Sequence, residues 1–142
     1  KELKKIAEEK HTIAHCPRSN RLLGCGKLDI GKLEALDIPF SLATDGLSSN
    51  HSLNLFDELR AALMMHYEMN LHQLSRQLIR SVTSEAAKIL KLDCGYIAEG
   101  YEADFALIQL PEEPKEEGDI ALWTILHTDK VAQLFIAGER YL

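Results

Sequence analysis

Two short apolar runs, Thr12-Ile13-Ala14-His15 and Phe40-Ser41-Leu42-Ala43, each break into a polar loop, and between them Leu28 to Leu36 carries the apolar spacing of a short helix. Strand, helix and strand in so few residues make a crossover unit, which sets the two strands parallel. Parallel neighbours open their carboxyl ends on the same edge of the sheet, where ligands of such α/β folds sit. Each end carries a chemically capable side chain: His15 ahead of Cys16-Pro17-Arg18-Ser19-Asn20, and Asp45 inside Thr44-Asp45-Gly46-Leu47-Ser48-Ser49-Asn50. The pattern predicts that His15 and Asp45 face one cleft. A carboxylate at the end of an apolar strand is costly to bury unless a cation compensates it, so Asp45 is a candidate metal ligand; an N-cap to the next segment is the plainer reading.

The flanking segments read as helices and then strands. Leu3, Ile6 and Ala7 share one side of an amphipathic helix at the start. Ser52 is expected to cap a helix whose face is Leu55, Phe56, Leu59, Ala62 and Leu63, and Asn70 with Gln73 opens a second helix carrying Leu71, Leu74, Leu78 and Val82. Thr83 or Ser84 opens a third, short helix through Leu90. Beyond Gly95 the expected elements are strands over Asp104–Leu110 and Lys130–Ala137 with a turn at Gly138-Glu139. The charged, proline-bearing stretch from Pro111 to Gly118 reads as a solvated loop.

Charge and cysteine usage narrow the function classes. A formal charge of −6 argues against nonspecific nucleic-acid binding, which needs a basic surface to displace counterions. No apolar run approaches the roughly 20 residues that span a bilayer, so no membrane partner is expected. Cys16, Cys25 and Cys94 are odd in number and irregularly spaced, which suits a reducing, cytoplasmic setting better than a disulfide framework. Adjacent strand residues point to opposite faces, so if His15 faces the cleft, Cys16 is a buried structural thiol rather than a nucleophile. His11 and His15 are four apart on an extended run and do not form a helical metal pair, while His51, His66, His72 and His127 lack a ligand-spaced companion.

Four segments together resemble the amidohydrolase superfamily, in its cytosine-deaminase-like group of chlorohydrolases and adenosyl-type deaminases. They are His-Cys-Pro-x-Ser-Asn at 15–20, Thr-Asp-Gly-x-x-Ser-Asn at 44–50, Ser52-Leu53-Asn54-Leu55-Phe56-Asp57-Glu58-Leu59-Arg60, and Gly95 to Phe105. The resemblance implies an α/β fold in which residues 1–94 are the last strand and helix units of a (β/α)8 barrel and 95–142 the C-terminal part of a small β-sandwich domain. At 142 residues the chain falls short of the roughly 250 of a whole barrel, so an N-terminal part of the same protein is expected as its partner.

The family resemblance also implies a chemistry. Its members hold one divalent metal, zinc or alternatively iron, with a His-x-His pair, two later histidines and an aspartate; only the aspartate, at Asp45, has a counterpart here. Asp45 would accept a proton from water activated at that metal, the resulting hydroxide would attack the substrate carbon, and His15 would polarise the attacked centre. Ser49, Asn50 and Arg18 are the candidate substrate contacts. The implied reaction is deamination of an adenine-type nucleoside, of the aminofutalosine or adenosylhomocysteine/methylthioadenosine class, with these residues inactive on their own. A chlorohydrolase or guanine-type deaminase would use the same residues, and a truncated non-catalytic binding module is the rival of another kind. A homo-oligomer is left open. Asp37, where many relatives have glycine, and the loop Leu22-Leu23-Gly24-Cys25-Gly26 depart from the family pattern and leave the exact substrate open.

Overall fold

The computed structural model describes residues 1–142 and joins β1 (Ile13–His15) to β2 (Phe40–Leu42) as a parallel pair, Ile13 opposite Phe40 and His15 opposite Leu42. Helix α1 (Glu2–Glu8) precedes them, as Leu3, Ile6 and Ala7 predict, and these three pack against the core. The segment between the strands holds two helices. Its second, α3 (Ile30–Ala35), is the one expected from the apolar spacing, and the Asp29 side chain caps it by accepting from the Lys32 N–H at 3.0 Å. Asp37, at the position where glycine was expected, has φ of 50°, a left-handed backbone that aspartate tolerates better than most residues.

The other intervening helix, α2 (Pro17–Leu23), stands where the polar residues after His15 predict a loop, and corrects that expectation. Pro17 occupies the first helical turn, where its missing N–H costs nothing, and Gly24 closes the helix at φ of 71°. A second correction concerns α4 (Leu55–Met65): Asn54 rather than Ser52 caps it, accepting from the Phe56 N–H at 3.0 Å, while the Ser52 hydroxyl accepts from the Asn54 N–H. Helix α5 (Leu71–Val82) starts as expected, with the Asn70 side chain accepting from the Gln73 N–H, and α6 (Ser84–Leu90) follows from Thr83.

The tail forms an antiparallel sheet of β3 (Phe105–Leu107), β4 (Gln133–Ile136) and β5 (Glu139–Arg140), where Phe105 and Phe135 stack at 4.5 Å between ring centroids. Both long strands are shorter than their apolar runs suggested. Between them lies α7 (Asp119–His127), which the sequence reading did not foresee. Its Leu122 and Ile125 enter the same core as Ile30, Leu33, Phe40, Leu42, Leu59 and Leu78, so this core crosses the expected division at residue 94. Arg60 of α4 ties the helix down by donating to the Thr128 carbonyl at 2.7 Å, one of the acceptors a helix end leaves free. No helix is long and apolar enough to cross a membrane.

Phe40 and Leu42 are buried toward α4, α5 and α6, and the register puts Ile13 and His15 on that same face. The opposite face carries the exposed Ala14 and half-buried Ser41 and Ala43. Within this chain the two-stranded sheet has a free edge on either side.

Candidate active site

Asp45 stands three residues beyond β2 in a left-handed conformation, φ 59°, which turns its exposed carboxylate away from the line of the strand. Three neutral donors grip it. The Ser19 and Ser49 hydroxyls donate to Oδ2 at 2.7 and 2.8 Å, and the Gly46 N–H donates to Oδ1 at 2.8 Å. The Ser19 hydrogen bond, then those of Ser49 and Gly46, hold its carboxyl below the usual aspartate range, because each favours the ionised form. No lysine or arginine pairs with it among the ion pairs of the chain, so its charge is oriented by the fold and left without a counter-charge.

Asp45 is exposed, whereas His15 ends β1 and turns inward. Its strand shares the edge with β2, but its side chain points to the helix-packed face, is 1% exposed, and meets the His66 ring edge to face with centroids 6.0 Å apart. Neither ring nitrogen of either histidine has a hydrogen-bond partner. Burial, helped by the neighbouring His66 and opposed by Glu58, lowers the His15 pKa from 6.5 to about 4, which keeps the ring neutral at ordinary pH.

The strand alternation invoked for Cys16 holds, with its phase reversed. His15 turns inward, and Cys16 lies near enough to Asp45 that the carboxylate adds to the effect of burial in raising the thiol pKa, the Asp45 amide partly offsetting both. Cys16 is half-buried rather than buried, and all three cysteines are unpaired. The structure thus does not bring His15 and Asp45 into one cleft, for the physical reason that α4 and α5 cover the face His15 occupies.

The three candidate substrate contacts all have partners inside the protein. Arg18 donates through Nε to Glu58 Oε1 at 2.7 Å, through Nη1 to Asp57, and through Nη2 to the Ser52 carbonyl, with Nη1 also 3.1 Å from His51 Nε2; no guanidinium nitrogen is left unengaged. Asn50, 5% exposed, donates Nδ2 to the Thr44 carbonyl at 2.7 Å and to Glu58 at 2.6 Å. Ser49 serves Asp45. These residues build the loop that carries the aspartate.

Ser19 and Glu58 are the participants that the sequence reading under-weighted. Both lie inside the motifs quoted for the family resemblance, Ser19 two residues after Pro17 and Glu58 in the run that opens α4. Position alone does not show that one grips Asp45 and the other anchors its loop.

A divalent cation would find one suitable ligand here. Asp45 offers a hard, ionised, exposed oxygen pair with no cation already upon it, the donor type that zinc accepts. The chain contains no group of three or more His, Cys, Asp or Glu side chains arranged to hold a metal ion, so it supplies one ligand and not a set.

Residues 1–140 match the Amidohydrolase family. The chain is 43% identical over 141 residues to an aminodeoxyfutalosine deaminase of Nitratiruptor, taking in 99% of this chain and 34% of that protein. It is 40% identical over 113 residues to a 5-methylthioadenosine/S-adenosylhomocysteine deaminase of Pyrococcus horikoshii, covering 78% of this chain and 27% of the relative. Among solved structures, Helicobacter pylori aminofutalosine deaminase in complex with methylthio-coformycin superposes with a TM-score of 0.91 at 37% identity, over 99% of this chain and 34% of that one. The chain spans about a third of the length of these relatives.

Proposed function

The chain belongs to the amidohydrolase family, and from that premise we propose that it forms the C-terminal part of a metal-dependent hydrolase that deaminates an adenine-type nucleoside. The observation that carries the reading is Asp45, an ionised carboxylate without a counter-charge, fixed by neutral donors at the carboxyl end of a parallel strand. The names of the two relatives support the substrate class. Aminodeoxyfutalosine is the first candidate, because that relative aligns over nearly the whole chain; methylthioadenosine and adenosylhomocysteine follow.

In this reading residues 1–94 complete a barrel, α7 packs back upon it, and the remaining ligands come from sequence outside these 142 residues. A divalent cation, zinc in our proposal, would supply the positive charge that makes a water molecule acidic. Asp45 would be one of its ligands. The aspartate takes the proton as the water oxygen bonds to the amino-bearing ring carbon, then returns it to the departing nitrogen as the C–N bond breaks and ammonia leaves. Ser19 and Ser49 fix which way Oδ2 points. His15 has no route to the solvent face of the sheet in this arrangement, and we assign the chemistry to Asp45 ahead of it. The unpaired cysteines suit a reducing cytoplasm.

Ammonia release from aminodeoxyfutalosine, methylthioadenosine, adenosylhomocysteine and guanine, assayed with the protein as encoded, tests the reading. Turnover should favour an adenine-type substrate, be abolished by a chelator and restored by zinc, and fall about 10²- to 10⁴-fold in Asp45→Asn. Turnover indifferent to Asp45→Asn would remove the role given to that residue, and no turnover of any of the four would favour a binding module.

A further inference from the structure

We propose that Glu58, a buried carboxylate one turn into α4, is the positioning residue that holds Asp45 in its reactive orientation. The inference rests on the reading of Asp45 as the reactive carboxylate. Glu58 is 0% exposed, so it acts through the groups it touches rather than on anything in solvent. What it touches is both halves of the loop system around Asp45. Oε1 accepts from Arg18 Nε at 2.7 Å and from Asn50 Nδ2 at 2.6 Å, and Oε2 accepts from the Arg18 backbone N–H at 3.1 Å.

The two dipeptides involved are built alike. In Arg18-Ser19, arginine is held by Glu58 and serine donates to Asp45 Oδ2; in Ser49-Asn50, asparagine is held by Glu58 and serine donates to the same oxygen. Asn50 adds a third tie by donating to the carbonyl of Thr44, the residue before Asp45. One helix-borne carboxylate therefore fixes both serine hydroxyls, and α4 itself is fixed because Leu59, Ala62 and Leu63 lie in the core.

Charge compensation of Arg18, whose shortest ion pair is the one with Glu58 at 2.7 Å, accounts for only part of this arrangement. Arg18 already meets Asp57 at 3.2 Å, and Asn50 has no charge to neutralise. A buried hydrogen-bonded carboxylate is a demanding group to keep, and losing it leaves its donors unpaired. The consequence is transmitted to Asp45 through one residue on each side.

The test is Glu58→Gln in the protein as encoded, with Asn50→Ala as a second variant that removes the Asn50 bonds to Glu58 and to the Thr44 carbonyl while leaving the carboxylate. Glutamine keeps the volume but loses one acceptor oxygen and turns an NH2 toward donors. Amide hydrogen exchange should rise about tenfold or more in segments 16–20 and 44–50 while α5 keeps its protection. Zinc affinity by chelator competition should weaken about 10- to 100-fold, and kcat should fall similarly with KM within about threefold.

A folded Glu58→Gln protein that keeps loop protection and zinc affinity overturns the proposal. If Glu58→Gln does not fold, Asn50→Ala decides by exchange in segment 16–20, which Asn50 reaches through Glu58: a rise there supports the proposal and unchanged protection overturns it. If the unaltered protein neither binds zinc nor releases ammonia, the functional reading fails, and exchange alone then decides whether Glu58 holds the Asp45 loop.

Discussion

His15 and His66 sit in each other's company with four ring nitrogens and no hydrogen bond among them, a burden that neutral imidazoles bear only while they stay neutral. The His15 pKa falls from 6.5 to about 4 on folding, and that of His66 is also lowered, chiefly by burial and next by Lys27. A depressed pKa means that the unfolded chain takes up protons first as pH falls. The stabilisation is therefore whole above pH 6.5 and drains away toward pH 4. For His15 the loss between pH 7 and pH 5 comes to about 2 kcal/mol. His15→Leu should shrink the difference in unfolding free energy between those two pH values, read from urea titrations; an unchanged difference would show that His15 is not the group responsible. At Asp45 the sign of the stability change with acid is the same. Its pKa is lowered by Ser19, Ser49 and Gly46, so its contribution is present above the normal aspartate range and lost as pH falls through the depressed value. Ser19→Ala removes the first of these donors, and the Asp45 carboxyl should titrate at higher pH by carbon-detected NMR, with no upward move counting against the Ser19 contact. The place of Asp45 in a loop just beyond β2 was legible from the sequence because the apolar run ends there. The facing of His15 was not, because alternation fixes that neighbours oppose each other and leaves to distant helices which of them is covered.

Helix α2 shows how an element hides inside a recognisable motif. The polar residues after Pro17 suggested a loop, yet proline at the first turn and glycine at the close are the signature of a helix, and both are present at Pro17 and Gly24. Helix α7 escaped for the opposite reason: Ile120, Ala121, Leu122, Trp123, Ile125 and Leu126 are so nearly continuous that no face stands out. Helices α4 and α5 were legible because their periods and capping residues agree, with only the cap of α4 displaced from Ser52 to Asn54. Two glycines with positive φ allow a graded test. Gly24 has φ of 71° and open space around a would-be Cβ, so Gly24→Ala should cost about 1–2 kcal/mol from backbone conformation alone. Gly95 has φ of 84°, and a Cβ there would stand 3.0 Å from both Ala87 Cβ and the Thr83 carbonyl oxygen. Gly95→Ala should lower the melting temperature more than Gly24→Ala, and equal shifts would refute the crowding described beside α6.

At the scale of the molecule, one core gathers residues from Ile30 to Ile125, while the two-stranded parallel sheet keeps its Ala14 face exposed and both edges free. Parallel sheets are ordinarily covered on both faces, the arrangement that the proposed barrel would complete. The 142 residues by themselves should therefore release no ammonia from adenine-type nucleosides even with zinc supplied, since a lone carboxylate cannot close a ligand set. Release exceeding that of an Asp45→Asn control would contradict this. The order of motifs made the family legible, whereas the packing of α7 on the helical layer was not, because a covalent order says little about which layer a later helix rejoins. The chain leaves that layer after α6 for β3, returns for α7, and leaves again for β4, so three covalent connections join the small sheet to the helices. A module that ancestral recombination can exchange whole needs a clean splice site on its border. Here a single crossover after α6 would carry α7 away with the strands and open the host's interior, so the sheet and the helical layer are expected to have descended together as one heritable unit.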